Sequence, residues 1–278
     1  MSAVATGSVG EALTAATDAL AAAGVDSPRL DAELLLAEAT GLDRARLASS
    51  PELGVEPAAA RAFGAMVRRR LQREPVAYIL GRRGFRRIEL AVDPRVLTPR
   101  PETELLVEVA VELAPARVLE IGTGSGAVAL AVADEVEGVR VVATDTSLEA
   151  LAVAQANTER LGLGGAVELV YGSVPAGDRF DLVLANLPYV SDADLPGLAP
   201  EIVRYEPREA LVAGPTGLEV IEAVLGELAL AEPRHGAVAL EVGEGQAGLV
   251  TELMRRAGWG EVEIRKDLAG IDRVVLGR

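Results

Sequence analysis

The sequence predicts an α/β fold with a mostly parallel sheet, preceded by a small helical domain. After residue 116, short apolar segments alternate with helical segments, a pattern typical of parallel sheets. A glycine-rich turn at 122–126 directly follows the first of these strands, where open α/β sheets bind ligands. The first 80 residues show helical periodicity instead. The 278-residue chain is therefore expected to contain a small domain and a larger one.

Composition narrows the class of protein further. The net charge of −15 at pH 7 and the sequence pI of about 4.6 argue against a protein that binds nucleic acid mainly through cationic contacts to its phosphates. The absence of cysteine excludes disulfides, thiolate nucleophiles and thiolate metal sites. The one histidine, His235, cannot form a histidine-rich metal site, so no metal is expected. Its Pro-Arg-His-Gly loop predicts an exposed side chain.

Neither a secretory leader nor a membrane span is expected. The first residues include Glu11 and Asp18 but no basic leader, and no apolar run approaches the length of a membrane span. We therefore expect a cytoplasmic protein without membrane contact. Because no interface helix is evident, we also expect a monomer.

Residues 1–80 are predicted to form the helical domain. Ser8 is a typical N-cap, Pro28 is a typical first helical residue, and Gly24 and Gly41 are typical helix ends. The predicted helices cover about 8–23, 28–40, a short stretch from 43, and 56–73.

Residues 81–98 are predicted to form a β-hairpin linker. Short, arginine-rich extended segments occupy this range, with Gly84 and Asp93-Pro94 as turn signals.

Residues 99–278 are predicted to form the sheet domain. A proline-led helix opens it, and the prolines on both sides of Arg100 fix the position of that arginine. Helices are expected between most strands, and Ser191 to Pro207 is expected to be a polar loop. Seven strands are predicted, the last two as a closing hairpin: 117–121, 139–143, 167–171, 180–185, 237–242, 261–265 and 273–276.

The glycine turn at 122–126, Gly-Thr-Gly-Ser-Gly, predicts a nucleotide or nucleoside site. Small residues let the backbone approach a ligand closely, and the following helix N-terminus offers free N–H groups. Asp145 ends the next strand, about twenty residues later, where an acidic side chain can bind ribose hydroxyls. The glycines fit both a dinucleotide and S-adenosyl-L-methionine. Glu120 favours the second, because a carboxylate there repels a pyrophosphate and suits a cation.

The stretch Asn186-Leu187-Pro188-Tyr189 follows another buried strand of the sheet. Pro188 stiffens the turn and favours an outward Leu187 carbonyl, and Asn186 offers a second acceptor oxygen beside it. Two adjacent acceptors suit a planar NH2 group, and the face of Tyr189 suits a flat π-system. The stretch therefore predicts a planar amine or amide substrate. Asn-X-Pro is also common turn chemistry, which is the alternative interpretation.

Several segments together are typical of one known family. They are Arg73 to Gly81 (REPVAYILG), Thr98 to Glu104 (TPRPETE), Leu119 to Gly126 (LEIGTGSG), Arg204 to Pro207 (RYEP) and Asp272 to Arg278 (DRVVLGR). Over nearly its whole length the chain resembles the bacterial release factor glutamine methyltransferases. The glycine turn is shared by many methyltransferases, whereas the linker segments are far more specific.

The resemblance implies a Rossmann-like class I methyltransferase domain with a seven-stranded sheet, and S-adenosyl-L-methionine as cofactor. It implies methylation of the side-chain amide nitrogen (N5) of the glutamine in the Gly-Gly-Gln motif of peptide chain release factors. The helical domain is implied to help dock the release factor. The residues expected to bind the cofactor are Glu120, Gly122, Thr123, Gly124, Ser125, Gly126, Asp145, Val174 and Asn186. The residues expected to hold the glutamine are Asn186, Leu187, Pro188 and Tyr189, with Asn186, Pro188 and Tyr189 as the catalytic set.

Two positions depart from the family pattern. Leu187 stands where proline is usual, and Ser173 stands where aspartate is usual before the adenine contact. The expected contact of residue 187 is its backbone carbonyl, which leucine retains with less stiffness.

Three other functions are compatible with parts of the pattern. A methyltransferase acting on exocyclic amines of adenine or guanine uses the same acceptor geometry, but it normally needs a basic, aromatic-bearing surface. A nicotinamide-dependent oxidoreductase shares the glycine pattern, and tight binding of a dinucleotide would identify it. A non-catalytic cofactor-binding module would be indicated by an inaccessible Asn186 turn.

Overall fold

The computed structural model describes residues 7–232 and 234–278. In that part of the chain, two compact units are found. One comprises the chain up to Gly81 together with Ala199–Tyr205, and the other comprises Arg82–Leu198 and Glu206–Arg278. The hairpin expected as a separate linker falls in the second unit.

The first unit is helical. Ser8 begins its first helix with a capping box, because the Ser8 hydroxyl accepts from the Glu11 backbone N–H at 3.2 Å while the Glu11 carboxylate accepts from the Ser8 N–H at 2.8 Å. Gly41 ends the second helix with a φ of 70°, a left-handed conformation that favours glycine. Among the described residues, its helices are α1 (Val9–Ala22), α2 (Pro28–Thr40), α3 (Arg44–Ser49), α4 (Pro57–Leu71), α5 (Val76–Leu80) and α9 (Pro200–Tyr205).

A core of aliphatic side chains packs these helices together. Leu13 and Leu20 of α1 lie against Leu35 and Leu36 of α2, and Phe63 of α4 completes the cluster. All four leucines are fully buried. Burying a leucine contributes roughly 1.5–3 kcal/mol, so this stripe accounts for much of the stability of the unit.

The segment expected to be a polar loop at 191–207 instead contains α9, which belongs to the first unit. Its Glu201 carboxylate lies 2.8 Å from Arg70 Nη2 and 2.6 Å from Arg73 Nη2. Arg70 also contacts Asp31, at 2.7 Å, so the charges form a buried network. The loop prediction was wrong because the partners that stabilise α9 lie more than a hundred residues away in sequence.

The second unit begins with an antiparallel hairpin, β1 (Arg82–Phe85) and β2 (Ile88–Ala91). The turn was expected at Gly84, but Gly84 lies within β1 and pairs with Glu89. Arg86 takes the turn instead, with a φ of 51°. The Arg86 guanidinium pairs with Glu135 at 2.7 Å, a tertiary contact that holds this unfavourable backbone conformation.

A seven-stranded sheet forms the centre of the second unit in the described residues, and it confirms the predicted fold class. Its order is β10-β11-β9-β6-β3-β4-β5, parallel except that β11 runs antiparallel to both of its neighbours. The strands are β3 (Arg117–Ile121), β4 (Arg140–Asp145), β5 (Val167–Tyr171), β6 (Leu182–Ala185), β9 (Ala237–Glu241), β10 (Val262–Lys266) and β11 (Asp272–Gly277).

The register brings the carboxyl ends of the central strands to one edge. Ile121 of β3 pairs with Thr144 of β4 on one side and with Ala185 of β6 on the other. Ala185 in turn pairs with Leu240 of β9. The residues that follow these positions therefore meet at one edge, which is where the glycine turn and the Asn186 turn lie.

Helices cover the sheet. The central strands are nearly continuous apolar runs, as expected for strands buried on both faces, and Leu182–Ala185 is fully buried. A short parallel pair, β7 (Val190–Ser191) with β8 (Val212–Gly214), lies beside the sheet. The helices of this unit are α6 (Glu104–Leu113), α7 (Ala127–Glu135), α8 (Leu148–Leu161), α10 (Glu219–Leu230) and α11 (Ala247–Arg256).

The expected exposure of His235 was wrong. Its side chain is 6% exposed, and the ring centroid lies 5.6 Å from that of Phe180. The backbone N–H of Phe180 donates to His235 Nδ1 at 3.4 Å. Burial lowers the pKa of His235, so the ring is a neutral packing group. Pro233, in the same loop, lies outside the described residues.

In the part of the chain that the structure describes, no helix combines the length and the apolar character that a bilayer span requires.

Candidate functional site

One cavity of about 290 Å³ opens at the carboxyl ends of β3, β4 and β6. Its size is close to the lower end of the range of about 300–1,000 Å³ typical of small-molecule sites. Most of the predicted site residues line it: Glu120, Gly122, Thr123, Gly124, Ser125, Asp145, Asn186, Leu187 and Pro188.

The glycine turn forms one wall. Gly122 and Gly124 adopt φ values of 75° and 55°, which non-glycine residues rarely adopt. The N–H groups of Gly122 and Thr123 both donate to the Thr144 carbonyl at 2.9 Å, and this anchors the turn to β4. Gly126, the last glycine, does not line the cavity. It has a φ of 83°, and a Cβ there would lie 2.8 Å from Leu130 Cδ1, so its role is to let α7 begin.

Asp145 closes the same wall at the end of β4. Its Oδ2 accepts from the Gly124 N–H at 2.9 Å, and its Oδ1 accepts from the Ser147 N–H at 2.8 Å. The carboxylate thus bridges the glycine turn and the start of α8. Each oxygen keeps further acceptor capacity, which suits hydroxyl donors from a ligand.

Glu120 lies beneath the turn and is 3% exposed. Its Oε2 accepts from Thr123 Oγ1 at 2.6 Å and from the Ala129 N–H at 2.9 Å. Burial raises its pKa to about 8, Asp145 adds to the rise, and the two hydrogen bonds oppose it. The group is therefore mostly a neutral acid at pH 7, and a cation placed beside it would favour its ionised form.

The Asn186 turn forms the facing wall. Asn186 Nδ2 donates to Thr103 Oγ1 at 3.0 Å. A Cβ built on Gly122 would lie 3.7 Å from the Asn186 carbonyl oxygen and 3.5 Å from Leu187 Cδ2. The two predicted motifs are thus brought together, and both line the cavity.

Tyr189 and Val174 lie outside the cavity lining. The Tyr189 carbonyl accepts from Gln246 Nε2 at 3.0 Å, and a Cβ on Gly243 would lie 3.1 Å from Tyr189 Cδ2. Burial raises the pKa of Tyr189 to about 12. Val174 packs against the core of the sheet. Their binding roles stay predictions.

Several residues at the site carried no recognisable signal in the sequence. Thr103 accepts a hydrogen bond from the Asn186 carboxamide, which also lowers the pKa of Glu241. Gln246 holds the turn through the Tyr189 carbonyl. Arg100 did carry a signal in its two flanking prolines, but its partner did not. Its Nη2 contacts the buried carboxylate of Glu206 at 2.6 Å.

The residues around the cavity fit S-adenosyl-L-methionine. The glycine turn leaves backbone space, Asp145 offers acceptors for hydroxyls, and Glu120 offers a carboxyl group for a cation. Ser173 also lines the cavity, and its buried Oγ has no hydrogen-bond partner in the described residues. An unpaired buried hydroxyl is costly, which is consistent with a polar ligand atom on that side.

Comparisons with known proteins give matches in both parts of the chain. A family model described as the PrmC N-terminal domain matches residues 11–81, and one described as a methyltransferase domain matches residues 118–205. The chain is 41% identical to the "Release factor glutamine methyltransferase" of Caulobacter vibrioides, over 96% of this chain and 95% of that protein. It is 42% identical to the protein of the same name from Geobacter sulfurreducens, over 93% and 92%.

Solved structures show the fold. The hMettl16 catalytic domain in complex with MAT2A 3'UTR hairpin 6 has a TM-score of 0.56, with 16% identity over 68% of this chain and 75% of that one. The N-terminal domain of human METTL16 in complex with SAH has a TM-score of 0.50, with 14% identity over 68% and 75%. At such identity the likeness concerns the sheet and its helices alone.

Proposed function

Because the chain belongs to the release factor glutamine methyltransferase family, we propose that it methylates the glutamine of the Gly-Gly-Gln motif of peptide chain release factors. The acceptor is the side-chain amide nitrogen (N5), and S-adenosyl-L-methionine is the methyl donor. The observation that carries the proposal is the orientation of Asn186. Its Nδ2 donates to Thr103 Oγ1 at 3.0 Å, so Oδ1 is the carboxamide atom that remains to accept a hydrogen bond in the cavity.

The Asn186 turn supplies what an amide substrate needs. A glutamine amide nitrogen is a poor nucleophile because its lone pair is delocalised into the carbonyl. Asn186 Oδ1 and the Leu187 carbonyl accept its two N–H groups and direct the nitrogen toward the donor. Positioning of this kind lowers a barrier by roughly 7–11 kcal/mol in favourable cases. The same two oxygens stabilise positive charge that develops on the nitrogen.

Pro188 and Tyr189 complete the proposed substrate site. The Pro188 ring limits the conformations of the Leu187 carbonyl, and Tyr189 packs the glutamine side chain. Gln246 holds the turn from behind, since its Nε2 donates to the Tyr189 carbonyl and its Oε1 accepts from the Gly243 N–H at 2.9 Å. The leucine at 187 changes the stiffness of the turn but not its acceptor.

The glycine turn and the adjacent acids hold the donor. The glycine turn at 122–126 would surround its methionine part, with Gly126 acting through the start of α7 and not by contact, and Glu120 would face its cationic end. Asp145 would bind the ribose, and the backbone near Val174 would lie beside adenine. When bound, S-adenosyl-L-methionine would supply an electrophilic methyl group to the amide nitrogen held by Asn186 Oδ1 and the Leu187 carbonyl. The electrons of the broken C–S bond would stay on sulfur, and the amide would release one proton to solvent.

We further propose a cytoplasmic monomer whose partner is the release factor and which does not bind nucleic acid. The net charge of −15 at pH 7 supports the last point, because phosphate backbones are bound mainly through cationic side chains. The helical unit is proposed to help dock the release factor.

Mass spectrometry tests the proposal directly. A release factor incubated with this protein and methyl-labelled S-adenosyl-L-methionine is expected to gain one label, on the Gly-Gly-Gln glutamine. A release factor in which that glutamine is glutamate is the matched control and should remain unlabelled. Label on any other residue, or on an adenine-containing oligonucleotide offered in parallel, would change the substrate assignment.

A further inference from the structure

The carboxamide of Asn186 has two orientations related by a half-turn, and only one directs Oδ1 to a substrate amide. In the structure, Nδ2 donates to the Thr103 hydroxyl. Thr103 precedes α6 and is 4% exposed, so its hydroxyl is enclosed beside the cavity. A second buried group, an acid, lies beside Thr103.

That group is Glu241, at the carboxyl end of β9. Because Ala185 of β6 pairs with Leu240 of β9 in a parallel register, the next residues along the two strands are Asn186 and Glu241. Glu241 is 2% exposed, and the nearby side chains of Thr103 and Asn186 both lower the pKa of its carboxyl group. Its Oε2 has no hydrogen-bond partner in the described part of the chain.

We infer that Thr103 and Glu241 are positioning residues that hold the Asn186 carboxamide with Nδ2 inward and Oδ1 toward the substrate. An ionised carboxylate only accepts hydrogen bonds, so the Thr103 hydroxyl donates to Glu241 and uses a lone pair for Asn186 Nδ2. A chain of bonds that ends in an anion also polarises the Asn186 carbonyl and makes Oδ1 a stronger acceptor. The inference rests on the proposed function, because it gives Oδ1 to the substrate amide.

Protonation of Glu241 removes this selection. A neutral carboxyl group donates as well as accepts, so the Thr103 hydroxyl is free to turn toward Asn186 Oδ1. Burial raises the pKa of Glu241 to about 7, which places the change near neutral pH.

Three other titratable groups act on this carboxyl. Glu102 adds to the rise in the pKa of Glu241, and Arg273 opposes it. The pKa of Arg273 is itself raised, so it stays charged. Burial raises the pKa of Tyr189 to about 12, so the phenol stays neutral.

Two isosteric substitutions test the inference in the full-length protein. Thr103→Val and Glu241→Gln are each expected to lower kcat about tenfold at pH 8, since each removes one hydrogen bond from the chain. The Kd for S-adenosyl-L-methionine should stay within twofold of the wild-type value. The kcat of the double variant should be no lower than that of the more impaired single variant, because both residues act through Asn186. Thr103→Ser keeps the hydroxyl and should retain activity.

Thr251→Val is the matched control. Thr251 is a buried threonine of α11 whose hydroxyl has no partner in the described residues. The same change of hydroxyl to methyl should leave kcat unchanged there. The wild-type pH profile of kcat is expected to fall below about pH 7, and this acid limb should vanish in Glu241→Gln.

A second readout does not depend on activity. In 15N-labelled protein, the Asn186 NH2 signals, identified by their absence in Asn186→Ala, should titrate with a midpoint near pH 7. The titration should be lost in Glu241→Gln. If the signals titrate but no glutamine is methylated, the proposed function fails and the positioning stands. If the signals do not titrate, or Thr103→Val keeps full kcat, the positioning role is overturned.

Discussion

Arg100 and Glu206 lie 106 positions apart in sequence, yet Arg100 Nη2 contacts both carboxylate oxygens of Glu206, at 2.7 and 2.6 Å. The Glu206 side chain is 1% exposed, whereas that of Arg100 is 33% exposed and lines the cavity. Burial raises the pKa of Glu206, and the Arg100 guanidinium partly offsets the rise. The ion pair therefore joins the segment around Arg100, with a proline on each side of it, to Glu206, the residue that follows α9.

Removing Arg100 should be costly, because a buried carboxylate is left without its cation. We expect Arg100→Ala to lower the free energy of unfolding by about 3 kcal/mol at pH 8. The loss should shrink as the pH is lowered from 8, because protonation of Glu206 removes the unpaired charge and its raised pKa favours protonation. Urea denaturation over a series of pH values measures this. Arg100→Ala combined with Glu206→Gln should recover part of the loss, and equal losses for the single and double variants would contradict the pairing.

Two buried acids predict that the folded state loses stability as pH rises. Burial raises the pKa of Glu120 to about 8 and that of Glu241 to about 7, both from an ordinary value of 4.5. Between about pH 4.5 and 8 the folded state thus holds more protons than the unfolded state, and its stability decreases with pH. Acids with a lowered pKa, such as Glu135, act below this window. Urea denaturation across the window should show a flatter pH dependence for Glu120→Gln and Glu241→Gln than for wild type.

Binding of the methyl donor should release a proton from Glu120. In the free protein this acid is mostly neutral at pH 7, and the cationic end of S-adenosyl-L-methionine should favour its ionised form. Calorimetry at pH 7 in buffers of different ionisation enthalpy counts the protons. The amine of the ligand also exchanges protons on binding. The same measurement on Glu120→Gln gives that contribution alone, and it is subtracted from the wild-type count. Identical proton counts in the two proteins would show that the cation does not face Glu120.

Asn186→Ala should separate turnover from donor binding. The substitution removes the acceptor oxygen while leaving the glycine turn and Asp145 intact. We expect kcat to fall by about 10²–10³-fold, the usual effect of losing one positioned hydrogen-bonding group at a reacting centre. The Kd for S-adenosyl-L-methionine should change by no more than about twofold. If kcat and the affinity for S-adenosyl-L-methionine fell together, the separate roles of the Asn186 turn and the glycine turn would be contradicted.

Gly217→Ala should disturb the Asn186 turn from behind. A Cβ at Gly217, where φ is 81°, would lie 2.6 Å from the Tyr189 carbonyl oxygen. The turn must then move, so kcat should fall together with stability. Gly138 has a similar φ of 73°, and a Cβ there would meet nothing within 4 Å, so Gly138→Ala should cost only the backbone strain of roughly 1–2 kcal/mol. Unchanged kcat in Gly217→Ala would show that the turn tolerates displacement.

The elements that the sequence predicted well are those with local causes. The strand at Arg117–Ile121 and the strand at Val167–Tyr171 have the expected bounds, since apolar runs and turn residues delimit them. The glycine turn and the Asn186 turn follow buried parallel strands, and parallel register alone brings them to one edge. For this reason the two walls of the cavity were predictable.

What the sequence did not reveal depends on contacts between distant residues. Arg86 adopts a positive φ in place of a glycine because Glu135 holds its side chain, and no local pattern indicates that. Glu241 is recognisable in the sequence only as the end of a buried strand, and its position beside Asn186 follows from the order of strands in the sheet. His235 is buried because Phe180, just before the neighbouring strand β6, packs against it.

The placement of α9 has a consequence for dissecting this protein. Tyr205 donates from its hydroxyl to the Gln72 carbonyl at 2.9 Å, and Glu206, the very next residue, is paired with Arg100. A fragment that ends at Gly81 would leave Arg70 and Arg73 without the Glu201 carboxylate. No single cut therefore yields two intact pieces, and swapping the amino-terminal part between relatives requires exchanging residues 199–205 along with it.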